Sequence, residues 1–556
     1  MSANTTPEVI KQATPGRWLL IAERVSLAAF FASLLLGMLV PIYTDEIGWR
    51  MQLRAGIDGG VDRMVSDICG PRSTVVPPFF ILALREITGR FELALADPLF
   101  VRISGVACAM IWALLFRRLI VRIAADRMKA AALSTLAFSL AGLGVLPFLL
   151  VLSRPEQPIL LTTTAALLVA VWTQGRRQDP VRSVWIGAAA ILLLGMLAAS
   201  WHMKGILFLP LFLTCLWCLG GGRATRAPRI GAMLLLIGID ASAMSYWVGR
   251  FSCPGDPILA RRLADQNIAE ALAGPGSLGD KIRMALSGAN PNDYIALAAA
   301  KQLPSSAWLP QYQMSLGAAQ FQMIVIMLAW NLALVIALVC LVKLGSARWR
   351  ERRLDLSLAV PVVALGTVLV WGMSQFHKND YEASTVLPAL LVCIVFPLAA
   401  MAWTPLRTGQ IRRGVVALAA ISLANQIAVA LVFLPPLLQV ARHPGYIDSQ
   451  RVSISAYGYG DLRQRVLATA RLCRIGQAGR AVHPLVDDLT YFAMMDSWQP
   501  FHRLGVLEEW NGTIRDPFAY LKAKGSEGAI VGCRYLRGSL RQRAVQNGEF
   551  CCIPTR

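Results

Sequence analysis

The fold is decided by the stretch PIYTDEIGWR at residues 41–50, which directly follows an apolar run over residues 18–40. Such a run is long enough to cross a bilayer, because a membrane helix needs about 20 apolar residues. The adjacent carboxylates Asp45 and Glu46 therefore emerge where the first membrane helix ends. A charge at the centre of a membrane helix costs about 2.5–3.5 kcal/mol. The pair either marks the water interface or belongs to a functional site, and residues further along the chain bear on that choice.

The composition is that of a multi-pass membrane protein. Of the 556 residues, 56% are hydrophobic and only 16% are charged, a balance typical of chains that cross a bilayer repeatedly. Apolar runs separated by short Arg-rich breaks predict a polytopic α-helical fold with about eleven transmembrane helices. The predicted spans cover residues 18–40, 99–115, 130–152, 158–173, 183–200, 206–220, 230–248, 319–342, 357–374, 384–403 and 414–437.

The distribution of Lys and Arg predicts the orientation of these helices. With the N-terminus inside, the inner connections around 117–129, 176–182 and 343–353 are strongly basic, whereas the loop 41–98 has six Arg against eight Asp or Glu. The positive-inside rule therefore puts that loop, and Asp45 with it, on the outer side. We predict a bacterial inner-membrane protein with a cytoplasmic N-terminus. The formal net charge of +21 is then a signal of topology and does not indicate a nucleic-acid partner.

The first outer loop, 41–98, is patterned enough to fold. It predicts two juxtamembrane helices, the first over residues 45–56. The second opens at the apolar run PPFFILAL of residues 77–84 and ends at Thr88 and Gly89.

The rest of the chain divides into a membrane part and a polar end. Residues 1–437 form the predicted transmembrane module, whose second long outer loop, 249–318, exceeds the usual length of a connection and is expected to fold over the functional site. Residues 438–556 are polar with short apolar runs, and they are numerous enough for a small periplasmic α/β domain.

The cysteines divide by location. Those inside predicted spans are Cys108, Cys215, Cys218, Cys340 and Cys393, and those outside are Cys69, Cys253, Cys473, Cys533, Cys551 and Cys552. An oxidising exterior would let the outer group pair as disulfides, with the connectivity open. No spacing of Cys and His predicts a zinc site.

Charged and polar side chains gather in four predicted outer turns. They are Asp45 and Glu46 after the first helix, Arg154 and Glu156 after the third, His202 and Lys204 after the fifth, and His377, Lys378 and Tyr381 after the ninth. Each of these taken alone is explained by pairing or snorkelling at the interface. Together they offer a carboxylate that can accept a proton and cations that can hold a phosphate leaving group. Carboxylates are also ligands for a divalent metal, but nothing else in the sequence indicates a metal or another cofactor.

The order of these motifs resembles a known family. Thr44-Asp45-Glu46, then Pro77-Pro78-Phe79-Phe80, then Gly89 and Val101-Arg102-Ile103-Ser104 look like the opening of the lipid-linked-sugar glycosyltransferases of the GT-C fold. Ser153-Arg154-Pro155-Glu156, Trp201-His202-Met203-Lys204-Gly205, and Lys378 with Tyr381 resemble the later outer turns of the same family. The likeness is greatest to the lipid A aminoarabinose transferases and the protein O-mannosyltransferases, and it covers about residues 18–403.

This resemblance implies an integral membrane glycosyltransferase. Its reaction would move a sugar, with inversion, from a polyprenyl-phosphate carrier to a glycan, lipid or protein acceptor on the periplasmic face. Asp45 would be the base that activates the acceptor hydroxyl, and Glu46 would support it or bind the acceptor. The residues around the donor phosphate would be Lys204, Lys378, Arg154 and Tyr381, with Glu156, His202 and His377 as further site residues. Val76 stands where the family often has a Lys or His, so the cation that holds the phosphate stays open.

Two other classes of protein remain open, and a third is disfavoured. A surface polysaccharide polymerase or ligase would share the lipid donor but depend on Arg and His in the loop 249–318. A secondary transporter would place polar residues at mid-membrane in broken helices, where this sequence offers Asp240. A non-catalytic scaffold for residues 438–556 would not need four charged outer turns.

Overall fold

The computed structural model describes most of the predicted helices and parts of the C-terminal region. The described residues are 17–43, 46, 49–50, 79–94, 97–175, 180–220, 225–251, 277–296, 315–351, 355–373, 382–403, 405–442, 453–475, 484–487, 490–491, 493, 502–503, 519, 522, 526, 528–536 and 538–554. Outside them lie the predicted site residues Asp45, His377, Lys378 and Tyr381 and the predicted disulfide cysteines Cys69 and Cys253.

Helices dominate the chain up to Arg442. In chain order they are α1 (Arg17–Leu36), α2 (Phe79–Ala94), α3 (Pro98–Ile123), α4 (Arg127–Ala141), α5 (Leu146–Leu150), α6 (Glu156–Gly175), α7 (Pro180–Trp201), α8 (Leu209–Trp217), α9 (Arg226–Phe251), α10 (Leu278–Ser287), α11 (Asn292–Ile295), α12 (Leu316–Glu351), α13 (Leu356–Met373), α14 (Ala383–Ala400) and α15 (Pro405–Arg442). Short 3-10 helices follow α1 at Gly37–Leu39 and precede α8 at Met203–Phe208.

Eight described helices are long and apolar enough to cross a membrane, namely α1, α3, α7, α9, α12, α13, α14 and α15. The prediction of a polytopic α-helical membrane protein is therefore confirmed. The three other predicted spans, 130–152, 158–173 and 206–220, are also helical, in α4 with α5, in α6 and in α8. The described residues thus hold fewer helices of full spanning length than the eleven predicted.

The apolar run 130–152 divides into α4 and α5 because the chain turns at Gly144. This glycine has a φ of +63°, a backbone conformation that residues with a side chain rarely adopt. A Cβ built on it would also lie 2.1 Å from the carbonyl oxygen of Ile295. The Ile295 carbonyl also accepts a hydrogen bond from the Val145 amide at 3.0 Å. A segment of the loop 249–318 therefore packs against the turn between α4 and α5. Hydropathy does not reveal this long-range contact.

α14 is the central helix of the bundle. Its side chains are buried along nearly its whole length, and it packs against α4, α6, α12 and α13. A helix buried on all sides must be apolar on all sides, as this one is. Its N-terminal end carries Glu382, the residue that precedes the first turn.

The first outer loop contains helical residues at both predicted places. Glu46, Trp49 and Arg50 are helical, and α2 begins at Phe79, within the predicted apolar run. The predicted end at Thr88 and Gly89 is wrong, because α2 continues through them to Ala94. The Thr88 hydroxyl donates to the Leu84 carbonyl at 2.8 Å, a bond within one turn of the helix.

The C-terminal residues form the predicted small α/β unit. Helix α16 (Tyr459–Leu472) packs on a five-stranded sheet whose strands are β3 (Leu485–Val486), β4 (His502–Arg503), β5 (Gly528–Gly532), β6 (Val545–Asn547) and β7 (Phe550–Pro554). The strand order is β4-β3-β5-β7-β6, with β3 parallel to both β4 and β5 and β7 antiparallel to both β5 and β6. α15 extends to Arg442, past the boundary predicted at 437.

Two disulfides hold this unit together. Cys473 at the end of α16 bonds to Cys552 on β7, and Cys533 bonds to Cys551. They close loops with sequence separations of 79 and 18 residues, for which the chain-entropy model gives about 4.5 and 3 kcal/mol. The pairing predicted for these four outer cysteines is confirmed.

Thiol labelling of the denatured, unreduced protein is expected to reach only the cysteines of the membrane helices. Cys108, Cys215, Cys218, Cys340 and Cys393 form no disulfide among the described residues, whereas the outer cysteines are predicted to be oxidised. The measurement is the mass added by a thiol reagent with and without prior reduction. Labelling of Cys473 or Cys533 without reductant would contradict the prediction.

Candidate functional site

Two groups of buried charged residues lie at the end of the helices where α1 stops. The first, which we call the Arg102 cluster, contains Glu46, Arg50, Arg102 and Ser153. Arg102 donates to the Glu46 carboxylate at 2.9 Å, and neither side chain is exposed. The backbone amide of Ser153 donates to the other carboxylate oxygen of Glu46 at 2.6 Å. Both oxygens of Glu46 are therefore engaged by buried donors.

Arg102 also holds the backbone on two sides of the cluster. Its guanidinium donates to the carbonyl oxygens of Val40 at 2.9 Å, Pro41 at 2.7 Å and Val151 at 2.7 Å. Arg50 joins the same turn, because it donates to the Ser153 hydroxyl at 2.8 Å and the Ser153 carbonyl at 3.2 Å. The planar fork of arginine suits this use, since its donors point in fixed directions.

Close packing of α3 on the chain at Val151 is expected to depend on Gly105. A Cβ at this position would lie 2.0 Å from the Val151 carbonyl oxygen, the same atom that accepts from Arg102. Gly105→Ala should therefore displace the turn from Val151 to Ser153, whose Ser153 amide donates to Glu46. The expected cost is about 1–3 kcal/mol in the free energy of unfolding. Thermal unfolding in detergent measures the change.

Gly366→Ala on α13 is the matched control, because a Cβ there meets nothing within 4 Å. Its stability is expected to stay the same or rise by up to about 1 kcal/mol, since alanine favours the helix. Equal melting temperatures for the two variants would contradict the packing described here.

The second group, which we call the Lys204 cluster, contains Arg154, Glu156, Lys204 and Glu382. The Lys204 ammonium lies 2.5 Å from a carboxylate oxygen of Glu156 and 2.6 Å from one of Glu382. The Arg154 Nε lies 3.2 Å from the other oxygen of Glu156. The two carboxylate side chains are only 1% exposed, whereas Arg154 is 11% and Lys204 16% exposed.

The charges of this cluster reinforce one another. Burial by itself would raise the pKa of Glu156, but the cations Arg154 and Lys204 outweigh it and hold this pKa well below its usual range. Burial would likewise lower the pKa of Lys204, but the carboxylates of Glu156 and Glu382 outweigh it and raise this pKa. Glu156 and Lys204 therefore both carry charge at neutral pH.

Local structure explains why Lys204 points into the cluster. The Nδ1 atom of His202 accepts a hydrogen bond from the Lys204 amide at 3.2 Å and so caps the 3-10 helix that begins at Met203. A Cβ at Gly205 would lie 2.1 Å from the Ala198 carbonyl oxygen, so only glycine allows the turn to fold back on α7. The Lys204 ammonium also lies 5.7 Å from the centre of the Trp371 ring, a favourable cation–π position.

The two clusters are neighbours. Ser153 of the Arg102 cluster and Arg154 of the Lys204 cluster are adjacent in sequence, and the rings of Trp49 and His202 meet edge to face at 5.7 Å. Trp49 therefore lies beside the Lys204 cluster, and Glu46 and Arg50 belong to the adjoining Arg102 cluster. Asp45, outside the described residues, directly precedes that segment.

The structure gathers five of the nine predicted site residues, namely Glu46, Arg154, Glu156, His202 and Lys204. Sequence reasoning missed Glu382 and the supporting residues Arg50 and Ser153, and it noticed Arg102 only through the family resemblance. Glu382 had a signal, because it follows Tyr381 in the same outer turn and stands immediately before the most buried helix. Arg50 had none beyond its place in the stretch 41–50, and Ser153, like Arg102, stood only in a motif of the family resemblance.

A small apolar cavity of about 20 Å³, room for about one water molecule, lies one helical turn from Glu382. It is bounded by α3, α6, α13 and α14, and Thr385, whose hydroxyl donates to the Glu382 carbonyl at 3.0 Å, is at its wall. Aromatic side chains of Trp112, Phe116 and Phe208 supply much of the lining. Among the described residues, no group of three or more His, Cys, Asp or Glu could hold a metal ion.

Fold and site together define a multi-helix membrane protein with buried ion clusters at one end of its helices. No protein-family model matches the chain, and no curated protein sequence does either. Solved structures similar to it include the following two. The crystal structure of ArnT from Cupriavidus metallidurans bound to undecaprenyl phosphate is 11% identical, with a TM-score of 0.45 over 97% of this chain and 98% of that one. The archaeal oligosaccharyltransferase AglB from Archaeoglobus fulgidus, in complex with an inhibitory peptide and a dolichol-phosphate, is 11% identical, with a TM-score of 0.39 over 92% of this chain and 69% of that one.

Proposed function

We propose that this chain is an integral membrane glycosyltransferase that moves a sugar from a polyprenyl-phosphate carrier to an acceptor on the periplasmic face, with inversion at the anomeric carbon. The observation that carries the proposal is the layering of the Lys204 cluster. Its carboxylate side chains are almost fully buried, whereas its cationic side chains are more exposed. An approaching phosphate therefore meets Arg154 and Lys204 before it meets Glu156 and Glu382.

The buried carboxylates hold these cations in position for a phosphate. Two ion pairs fix the Lys204 ammonium in place, so little side-chain entropy remains to be lost when a phosphate binds. Charge-assisted hydrogen bonds to phosphate are short and strong. As the bond between the anomeric carbon and the phosphate oxygen breaks, negative charge develops on that oxygen, and prepositioned cations stabilise it.

Asp45 is the proposed general base. Its carboxylate would take the proton of the acceptor hydroxyl while the hydroxyl oxygen attacks the anomeric carbon from the face opposite the phosphate. Glu46 has a different assignment, because Arg102 and the Ser153 amide already bind its two oxygens. We assign Glu46 to positioning the chain around Asp45 and not to binding the acceptor.

Lys378 and Tyr381 remain proposed donor ligands, since they closely precede Glu382 in sequence. His202 is proposed to orient Lys204 through its cap, and His377 to line the site.

The proposed function is tested with the purified chain in lipid nanodiscs and a panel of polyprenyl-phosphate sugars. We expect release of polyprenyl phosphate and formation of a product with inverted anomeric configuration. Sugar nucleotides serve as the control donors and should not react. Transfer from a sugar nucleotide without added lipid donor would overturn the proposal. Transfer that depends on the Arg residues of the loop 249–318 but not on Asp45 would favour a polymerase or ligase.

A further inference from the structure

The C-terminal unit is attached to the segment that leads to Asp45. Strand β1 (Ile42–Tyr43) pairs antiparallel with β2 (Ser453–Ile454), with Ile42 opposite Ile454 and Tyr43 opposite Ser453. The Ile42 side chain is fully buried in the apolar core of the C-terminal unit. β1 is therefore a part of the C-terminal fold although it belongs to the first outer loop.

The same segment is held from the membrane side. Arg102 binds the carbonyl oxygens of Val40 and Pro41, directly before β1, and the carboxylate of Glu46, just after it. The C-terminal unit adds a second bond upstream, since the Tyr457 hydroxyl donates to the Met38 carbonyl at 3.2 Å. Arg102 and the C-terminal unit thus both bind the short stretch from Met38 to Glu46.

We propose that the C-terminal unit is a positioning element of the catalytic site, which holds Asp45 in register through β1. This inference rests on the proposed function. A pair of two-residue strands has little stability by itself, so β1 needs the core around Ile42 to stay in place. Displacement of a reacting group by about 1 Å can cost about 10²-fold in rate. The unit supplies no reacting group by this route and acts through the backbone that carries Asp45.

Loosening β1 should therefore lower kcat and leave donor binding nearly unchanged. Ile42→Ala removes the side chain that joins β1 to the C-terminal core, and kcat is expected to fall by about 10- to 100-fold. The donor KM should change less than about threefold, because Lys204 and Arg154 are untouched. Ile42→Val keeps most of the buried volume and should restore kcat.

Ile530→Ala is the matched control. Ile530 is also fully buried in the same core but lies on β5, in a different sheet from β1. The same truncation should lower the melting temperature of the C-terminal unit comparably and leave kcat within about threefold of wild type below that temperature. A general loss of stability would affect the two variants alike, whereas positioning affects only Ile42→Ala.

Tyr457→Phe keeps the test decisive if Ile42→Ala does not fold. It removes one hydroxyl and its bond to the Met38 carbonyl, and kcat is expected to fall about two- to tenfold with an unchanged melting temperature. The inference is overturned if Tyr457→Phe and every folded Ile42 variant keep wild-type kcat, or if Ile42→Ala and Ile530→Ala lose kcat equally. A wild-type chain without transfer activity would instead refute the proposed function.

Discussion

Replacing Asp45 with Asn is expected to lower the rate of sugar transfer by about 10²–10⁴-fold, the usual effect of losing a general base. The amide has nearly the same volume as the carboxylate and keeps one hydrogen-bond acceptor, but it cannot take the proton of the acceptor hydroxyl. Folding and donor binding should stay close to normal, because the donor phosphate is held by other residues. Single-turnover transfer and binding of polyprenyl phosphate, measured on the same preparation, separate the two effects.

Glu46→Gln is the control for this prediction, because it makes the same chemical change one residue away. Its expected effect is on stability. Glu46 neutralises the fully buried Arg102, and loss of one partner of a buried ion pair costs about 3–5 kcal/mol. If Asp45→Asn retained near-normal turnover while folded Glu46→Gln did not, the base would have to be Glu46. If both variants stayed active, the glycosyltransferase proposal would be wrong.

Replacing Lys204 with Met is expected to destabilise the protein and abolish transfer together. Glu156 and Glu382 share the Lys204 ammonium. Its removal leaves two buried carboxylates and only one cation, Arg154, to balance them. The cost in the free energy of unfolding is about 3–5 kcal/mol. Thermal unfolding and transfer, measured in parallel, record the two losses.

A second substitution separates these losses. Lys204→Met combined with Glu382→Gln removes one positive and one negative charge, so the remaining Glu156 and Arg154 balance each other. We expect the double variant to regain most of the stability but none of the transfer, because the phosphate still lacks its cation. Recovery of transfer together with stability would show that Lys204 serves only as a structural ion.

Local patterns were enough to predict the membrane part of the fold. The apolar runs are contiguous in sequence, and helix formation in a bilayer satisfies each backbone group within a few residues. The outer turns that supply Arg154, Glu156 and Lys204 follow from the same runs, because a turn must lie where a helix ends. The limit of such patterns is visible at residues 130–152, where the Ile295 carbonyl meets Gly144 and divides one predicted helix into two.

By itself, the sequence determined that the chain is a polytopic helical protein, that its last part is a small α/β unit, and which turns carry charge. Only the tertiary structure decided how those charges pair. Glu46 meets Arg102 across 56 residues, Lys204 meets Glu382 across 178, and β1 meets β2 across the whole membrane module. These partners have no common local pattern. A buried charge is stable only beside an opposite charge, and a strand is stable only when another strand pairs with its backbone groups. The packing of the helices determines which of these partners come into contact.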